Sequence, residues 1–315
     1  MTQTQTEPHR CGFVGIIGRP NVGKSTLLNR VLGQKLAIAT PKPQTTRDRI
    51  KGIRTWEAGE DGKPAWQAIF VDTPGIHEAK TQLNRYMVEL AIATVSEVDL
   101  CYVLIDAHKA APHSERAVAD LTQIAEHLKT ANTPAFLVLN KVDRLPDKAV
   151  LFALIDKLMP VHPWAELVPV SARKGDNVER LLTVTRERLP VGPPLFAADE
   201  LTDRPMRFIA KEIIREQVFL RLGEELPYST AVDVLNWEEK PDIVVIHANI
   251  HVARKSHKPI VVGKGGAGVK AIGEKARMGI ERFIERKVFL DLRVKVDENW
   301  TERPDALKEL GYDEK

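Results

Sequence analysis

"CGFVGIIGRPNVGKSTLLNRVLG", Cys11–Gly33, runs from a short apolar stretch through a glycine-containing turn into a helical pattern. The apolar "CGFVGII" reads as a buried strand, and "KSTLLNRVLG" as a helix. Between them Gly18, Arg19, Pro20, Asn21, Val22, Gly23, Lys24 and Ser25 have the spacing G-x-x-x-x-G-K-S. Strand, loop and helix in this order form a phosphate-binding loop: glycines let backbone N–H groups turn inward on phosphate oxygens, and the helix N-terminus adds a favourable field. Lys24 then reaches the β and γ phosphates, the Ser25 hydroxyl ligates Mg²⁺, and Thr26 begins the helix against the nucleotide.

The surrounding chain repeats the rhythm. "WQAIFV", "DLCYVLID", "AFLVLN" and "ELVPV" are short apolar runs ended by polar or glycine punctuation, with helical patterns such as "SERAVADLTQIAEHLK" and "VERLLTVTRERL" between them. Strands this apolar are buried on both faces, so the first two thirds read as an α/β, doubly wound, mostly parallel sheet. Loops after the strand C-termini then share one edge, where ligands bind.

Three further motifs fall at strand ends. "DTPG" (Asp72, Thr73, Pro74, Gly75) offers a carboxylate to Mg²⁺, usually through water, and the Gly75 amide to the γ-phosphate. "NKVD" places Asn140 to tie this loop to the phosphate loop, Lys141 along a base, and Asp143 where its carboxylate accepts from N1–H and the 2-amino group of guanine. Two hydrogen bonds to a charged group are worth about 3–6 kcal/mol, so this motif selects GTP over ATP. "SAR" (Ser171, Ala172, Arg173) offers the Ala172 amide to guanine O6.

Taken in order, these motifs resemble the translation-factor-related GTPases; with "QTTRDR", Gln44–Arg49, they resemble the bacterial Era family. The resemblance implies that Thr46 completes the Mg²⁺ shell when GTP is bound, and that Lys24, Thr46 and Gly75 serve hydrolysis. Ras-type proteins carry a water-positioning glutamine after the switch glycine, but this chain has Ile76 there, so intrinsic hydrolysis is expected to be slow. Asn21 matches an asparagine that holds an activating K⁺ in related bacterial GTPases.

After "LPVGPPLFAADELTDRP", a proline-rich stretch that reads as a linker, the order becomes helix, strand, strand, glycine loop, helix, strand. "VVGKGGAG", Val261–Gly268, lacks the GK[ST] ending and so is no second phosphate loop of the first kind. G-x-x-G by itself is weak, since Gly12–Gly15, Gly15–Gly18 and Gly59–Gly62 match it too. The context of Gly263–Gly266 differs: it precedes a helical pattern and lies in a window, 251–287, with ten Lys and Arg against three Glu, a local charge of +7. With helices on both sides of the loop, the element order resembles a smaller α+β type II KH domain, whose G-x-x-G clamps a single-stranded nucleic-acid backbone. Gly263, Lys264, Gly265, Gly266, Lys258 and Lys270 would meet the backbone, while Val262 and Ile272 would line an apolar groove for bases.

The 315 residues favour two domains, and the overall +3 is too small to argue for any partner. Cys11 and Cys101 sit beside apolar runs without metal spacing, which suggests a reduced, cytoplasmic protein; no apolar leader or 18-residue apolar span occurs. The expected organisation is an N-terminal stretch 1–10, a GTPase domain 11–190, a linker 191–204, a KH domain 205–298, and a tail 299–315 with a short helix. The Era resemblance, over roughly residues 10–310, further implies a monomer that binds 16S rRNA near its 3′ end, acts in 30S subunit assembly, and associates peripherally with the inner membrane. The residues themselves leave two other readings open: a GTPase gating a tRNA-modifying or other catalytic partner, and a membrane or cell-division signalling switch.

Overall fold

A computed structural model describes residues 8–40, 42–59 and 64–312. Gly62 of the third G-x-x-G match lies outside these residues. By contacts the chain forms two compact units, and the second takes in two segments remote from it in sequence: 38–45 and 78–86 join 204–315.

The first unit is built on a six-stranded sheet. Along the chain come β1 (Arg10–Gly18), α1 (Lys24–Leu32), β2 (Ile50–Trp56), β3 (Trp66–Asp72), α2 (Gln82–Ser96), β4 (Leu100–Asp106), a single turn α3 (Ala107–Ala110), α4 (Ser114–Ala131), β5 (Ala135–Asn140), α5 (Lys148–Leu158), β6 (Glu166–Val170) and α6 (Val178–Arg188). The strand order is β2-β3-β1-β4-β5-β6. Five strands run parallel, and β2 pairs antiparallel with β3 at the edge. Strands β3, β4 and β5 are buried at every position, as their unbroken apolar runs require of strands covered on both faces.

Strand β1 lies between β3 and β4, and the chain leaves it in one direction to α1 and returns on both sides. This is the switch point of a doubly wound sheet, where the loops part and leave a crevice. The loop after β1 is Gly18–Gly23, so topology sets the predicted phosphate loop in that crevice.

The stretch read as a linker is held against the first unit. Leu195 and Phe196 donate their N–H groups to Gln67 Oε1 at 2.8 and 3.0 Å, and the Ile53 N–H donates to Leu201 O at 2.8 Å. Prolines prevented regular structure there, and hydrogen bonds to β2 and β3 replaced it.

The second unit contains α7 (Met206–Arg221), β7 (Thr230–Glu239), β8 (Val244–Val252), α8 (His257–Val262), α9 (Ala267–Ile284), β9 (Val288–Val296) and α10 (Pro304–Glu309). Its sheet has the order β7-β8-β9, antiparallel then parallel. Ala210, Ile214 and Val218 on α7 and Ile272, Ala276 and Ile280 on α9 recur every four residues and bury one face of each helix on the sheet. Each buried isoleucine or valine contributes on the order of 2 kcal/mol from burial alone. The C-terminal segment 299–312 is packed into this unit: Trp300 and Tyr312 are buried, and their rings stack 5.9 Å apart.

Candidate nucleotide pocket and nucleic-acid loop

Gly23 caps α1 with φ of 103°, in the left-handed region, and a Cβ there would collide with the Asn140 side chain. Only glycine permits both the turn and this close approach. Gly75 is constrained by proximity: a Cβ on it would lie 2.7 Å from the Pro20 backbone nitrogen, so the segment after β3 passes directly over the phosphate loop. The Ile76 N–H donates to Gly18 O at 3.1 Å and holds it there.

Behind the loop three side chains from three elements converge. Ser25 Oγ donates to Asp72 Oδ2 at 2.7 Å, Thr46 Oγ1 donates to the same oxygen at 3.2 Å, and the two hydroxyls are 3.0 Å apart. All three residues are buried, and Asp72 Oδ1 has no partner among the described residues. An unpaired buried carboxylate oxygen is costly, so this cluster fits a hard divalent cation taking oxygen ligands, as the sequence reading requires of Mg²⁺. Burial pushes the Asp72 carboxyl up, against Lys24 and the two hydroxyls. Burial likewise pulls the Lys24 ammonium down to about 8, with Asp72 resisting. Lys24 Nζ donates to Gly18 O and Arg19 O, both at 3.1 Å, which aims the ammonium along the loop. Thr73 is buried, and its hydroxyl donates to Ile16 O at 2.8 Å, so it braces β1 against the turn.

Asn140 joins three loops. Its Nδ2 donates to Val22 O at 2.7 Å, while Oδ1 accepts from the N–H groups of Lys141 and Ala172 at 2.8 and 3.0 Å. The tie to the phosphate loop is the expected one. The Ala172 amide differs from expectation: it is engaged by Asn140 rather than open to guanine O6, because a buried N–H takes the nearest acceptor. Lys141, at φ of 65°, reaches Asn21 O at 2.6 Å and Asp106 Oδ2 at 2.7 Å. Asp143 is half-buried in the turn after β5 and has no hydrogen-bond partner among the described residues, which leaves its carboxylate as an open acceptor. Sequence reasoning missed Arg30, whose guanidinium on the last turn of α1 donates to Ala172 O at 3.2 Å and to Arg173 O, clamping the "SAR" loop. Its only signal was a cation near a helix C-terminus.

In the second unit, Gly263 (φ 72°, ψ 171°) ends α8, and Gly265 and Gly266 follow with positive φ before α9 begins. A Cβ on Gly268 would collide with Val261 O, so this later glycine serves the close packing of α8 on α9. Lys258, Lys264 and Lys270 are exposed and form no ion pair among the described residues. They flank the N-terminus of the 18-residue α9, where free amides favour phosphate. Ile272 does not line the groove as expected. It is 1% exposed within the core, at a position where the four-residue period turns it inward. Val262 is half-buried against the same core, and the exposed apolar residue of α8 is Ile260.

A doubly wound sheet whose loops assemble G-x-x-x-x-G-K-S, D-x-x-G and N-K-x-D defines a P-loop GTPase, here followed by a KH domain. A family described as "50S ribosome-binding GTPase" matches residues 13–141, and one described as "KH domain" matches 225–301. The GTPase Era of Geobacter metallireducens is 48% identical over 97% of this chain and 98% of its own length, and that of Geotalea uraniireducens 47% over 99% and 100%. The chain belongs to the GTPase Era family. Among solved structures, Aquifex aeolicus Era bound to GDP·AlF4⁻ superposes with a TM-score of 0.87 at 39% identity, covering 96% of this chain and 99% of that one. Era in complex with MgGDPNP and nucleotides 1506–1542 of 16S ribosomal RNA gives the same TM-score at 38% identity and the same coverage. The chain is a GTPase. No helix among the described residues is long and apolar enough to cross a membrane.

Proposed function

We propose that this chain is a GTP-controlled RNA-binding protein that holds single-stranded 16S rRNA near its 3′ end and acts in maturation of the 30S subunit. The observation that carries the reading is the pairing, in one chain, of an N-K-x-D loop tied to the phosphate loop with an unpaired lysine cluster at a G-x-x-G helix start. GTP hydrolysis proceeds by attack of water on the γ-phosphate. Lys24 and the loop amides stabilise charge on the transferring group, and Ser25, Thr46 and Asp72 would hold an Mg²⁺ ion, which would supply further charge neutralisation.

Segments 38–45 and 78–86 adjoin Thr46 and the D-x-x-G turn in sequence yet group with the KH unit. Lys42 Nζ donates to Phe219 O and Leu222 O at the end of α7, and the rings of Tyr86 and Tyr312 meet edge-on at 6.4 Å. Movement of Thr46 or Gly75 with nucleotide state therefore pulls on chain anchored in that unit. The affinity of the intact protein for a 3′-terminal 16S rRNA oligonucleotide should differ at least fivefold between the GTP-analogue and GDP forms, a coupling of about 1 kcal/mol. Equal affinities in both forms and without nucleotide would remove the switch from this account.

Ile76 cannot orient water, and Asn21 would hold a K⁺ ion that could supply the missing charge stabilisation. Turnover should be at least tenfold faster in K⁺ than in Na⁺ buffer, about 1.4 kcal/mol off the barrier. Rates that match in the two salts refute a K⁺ site. Peripheral association with the cytoplasmic face of the membrane accompanies this role, and sedimentation with inner-membrane vesicles tests it.

A further inference from the structure

Between Ala37 and Thr46 the chain is held at both ends and once in between. At the entry, Asn29 on α1 accepts through Oδ1 from the N–H groups of Leu36 and Ala37, both at 2.9 Å, and donates Nδ2 to Ala37 O at 2.8 Å. At the exit Thr46 is buried, its hydroxyl 3.2 Å from Asp72 Oδ2 and 3.0 Å from Ser25 Oγ. Midway, the half-buried Lys42 donates Nζ to Phe219 O and Leu222 O. These carbonyls close the last turn of α7, where helical N–H partners run out and the helix field favours a cation. Lys42 and α7 lie in the same compact unit.

The connection from Lys42 to Thr46, four positions on, is stiff. The ring of Pro43 fixes its own φ, and Gln44 stands at φ of 56°, in the left-handed region that residues other than glycine enter at a cost. Such a conformation persists only where its surroundings over-determine it. The two anchors that flank Gln44 are Lys42 and Thr46. Without the first, Gln44 relaxes, and Thr46 must then be ordered against conformational entropy each time a γ-phosphate and its Mg²⁺ arrive. GDP lacks the γ-phosphate and leaves Thr46 unengaged, so the cost falls on GTP alone.

We propose that Lys42 is a positioning residue for GTP: captured by the end of α7, it keeps Thr46 in place for the Mg²⁺ of the triphosphate, so that an anchor in the KH unit sets the preference of the pocket for GTP over GDP. The inference rests on the reading that Thr46 completes the Mg²⁺ shell when GTP is bound. The Lys42 ammonium is spent on the α7 carbonyls, and its effect on the nucleotide passes through the chain to Thr46.

The test measures binding of a fluorescent, non-hydrolysable GTP analogue and of fluorescent GDP to the full-length protein, each with Mg²⁺ and with EDTA. Lys42→Met keeps the side-chain length and removes the charge; it should weaken the Mg²⁺-bound analogue by about fivefold or more and GDP by less than about twofold, and the difference should vanish in EDTA. Lys42→Arg retains a charged donor and should bind the analogue within about twofold of wild type. Thr46→Ala should lose at least as much analogue affinity as Lys42→Met, and the double variant should lose no more than Thr46→Ala alone, since the two residues act as one unit. Undiminished analogue affinity in Lys42→Met overturns the proposal. So does an equal loss for analogue and GDP, which would make Lys42 a support of the fold, or a full further loss when Lys42→Met is added to Thr46→Ala. Wild-type analogue affinity in Thr46→Ala would instead overturn the reading of Thr46 itself.

Discussion

Asp143→Asn lowers GTP affinity by on the order of 10²- to 10⁴-fold and admits xanthosine triphosphate. The Asp143 carboxylate stands in the turn after β5 without an internal partner, so both of its oxygens are available to guanine. Losing one charge-assisted bond, setting a donor against the 2-amino donor and leaving only a neutral acceptor for N1–H together cost about 3–6 kcal/mol. The amide that replaces it points a donor at the guanine 2-amino group, where an acceptor is needed; xanthine carries a carbonyl there and accepts. The fold should tolerate the change, since Asp143 is only half-buried and braces nothing among the described residues. Competition binding of GTP and XTP to the variant checks this, and unaltered guanine selectivity would show that another group reads the base.

Replacing Lys264 and Gly265 with two aspartates abolishes RNA binding through the loop while basal GTP hydrolysis continues. One charge-assisted contact worth about 2 kcal/mol is lost, and two carboxylates are set against phosphate at about 1 kcal/mol each near 4 Å in water. The sum, about 4 kcal/mol, is on the order of 10³ in affinity. The substitution is structurally mild. A Cβ on Gly265 meets nothing within 4 Å, and its φ of 59° lies in the left-handed region that aspartate enters more readily than most residues. Filter binding of a short adenylate with parallel phosphate-release measurements would decide it. Loss of both activities would mean that the loop supports the fold rather than the ligand.

Much of the pocket was legible because its parts are local. A strand, a turn requiring glycine and a helix start lie within Cys11–Gly33, and the purely apolar β3, β4 and β5 could only be central strands of a covered sheet. The KH order was legible for the same reason, since α7 and α9 carry a four-residue apolar period and β9 falls on "VFLDLRVKV". Ile272 was misplaced because an apolar residue beside a functional loop looks the same in sequence whether it faces ligand or core. The engagement of the Ala172 amide was also hidden, since its acceptor, Asn140, is 32 residues distant.

The amino-acid sequence by itself pointed to the guanine nucleotide, to the Ser25 hydroxyl beside it and to the G-x-x-G loop, because each depends on residue types at short fixed spacing. Only the tertiary structure decided which remote groups meet. It brought Thr46 and Ser25 onto one oxygen of Asp72, carried Arg30 to the carbonyls of Ala172 and Arg173, and grouped 38–45 and 78–86 with the KH unit. Such meetings depend on strand order and on competition among buried donors and acceptors, which a one-dimensional pattern does not encode.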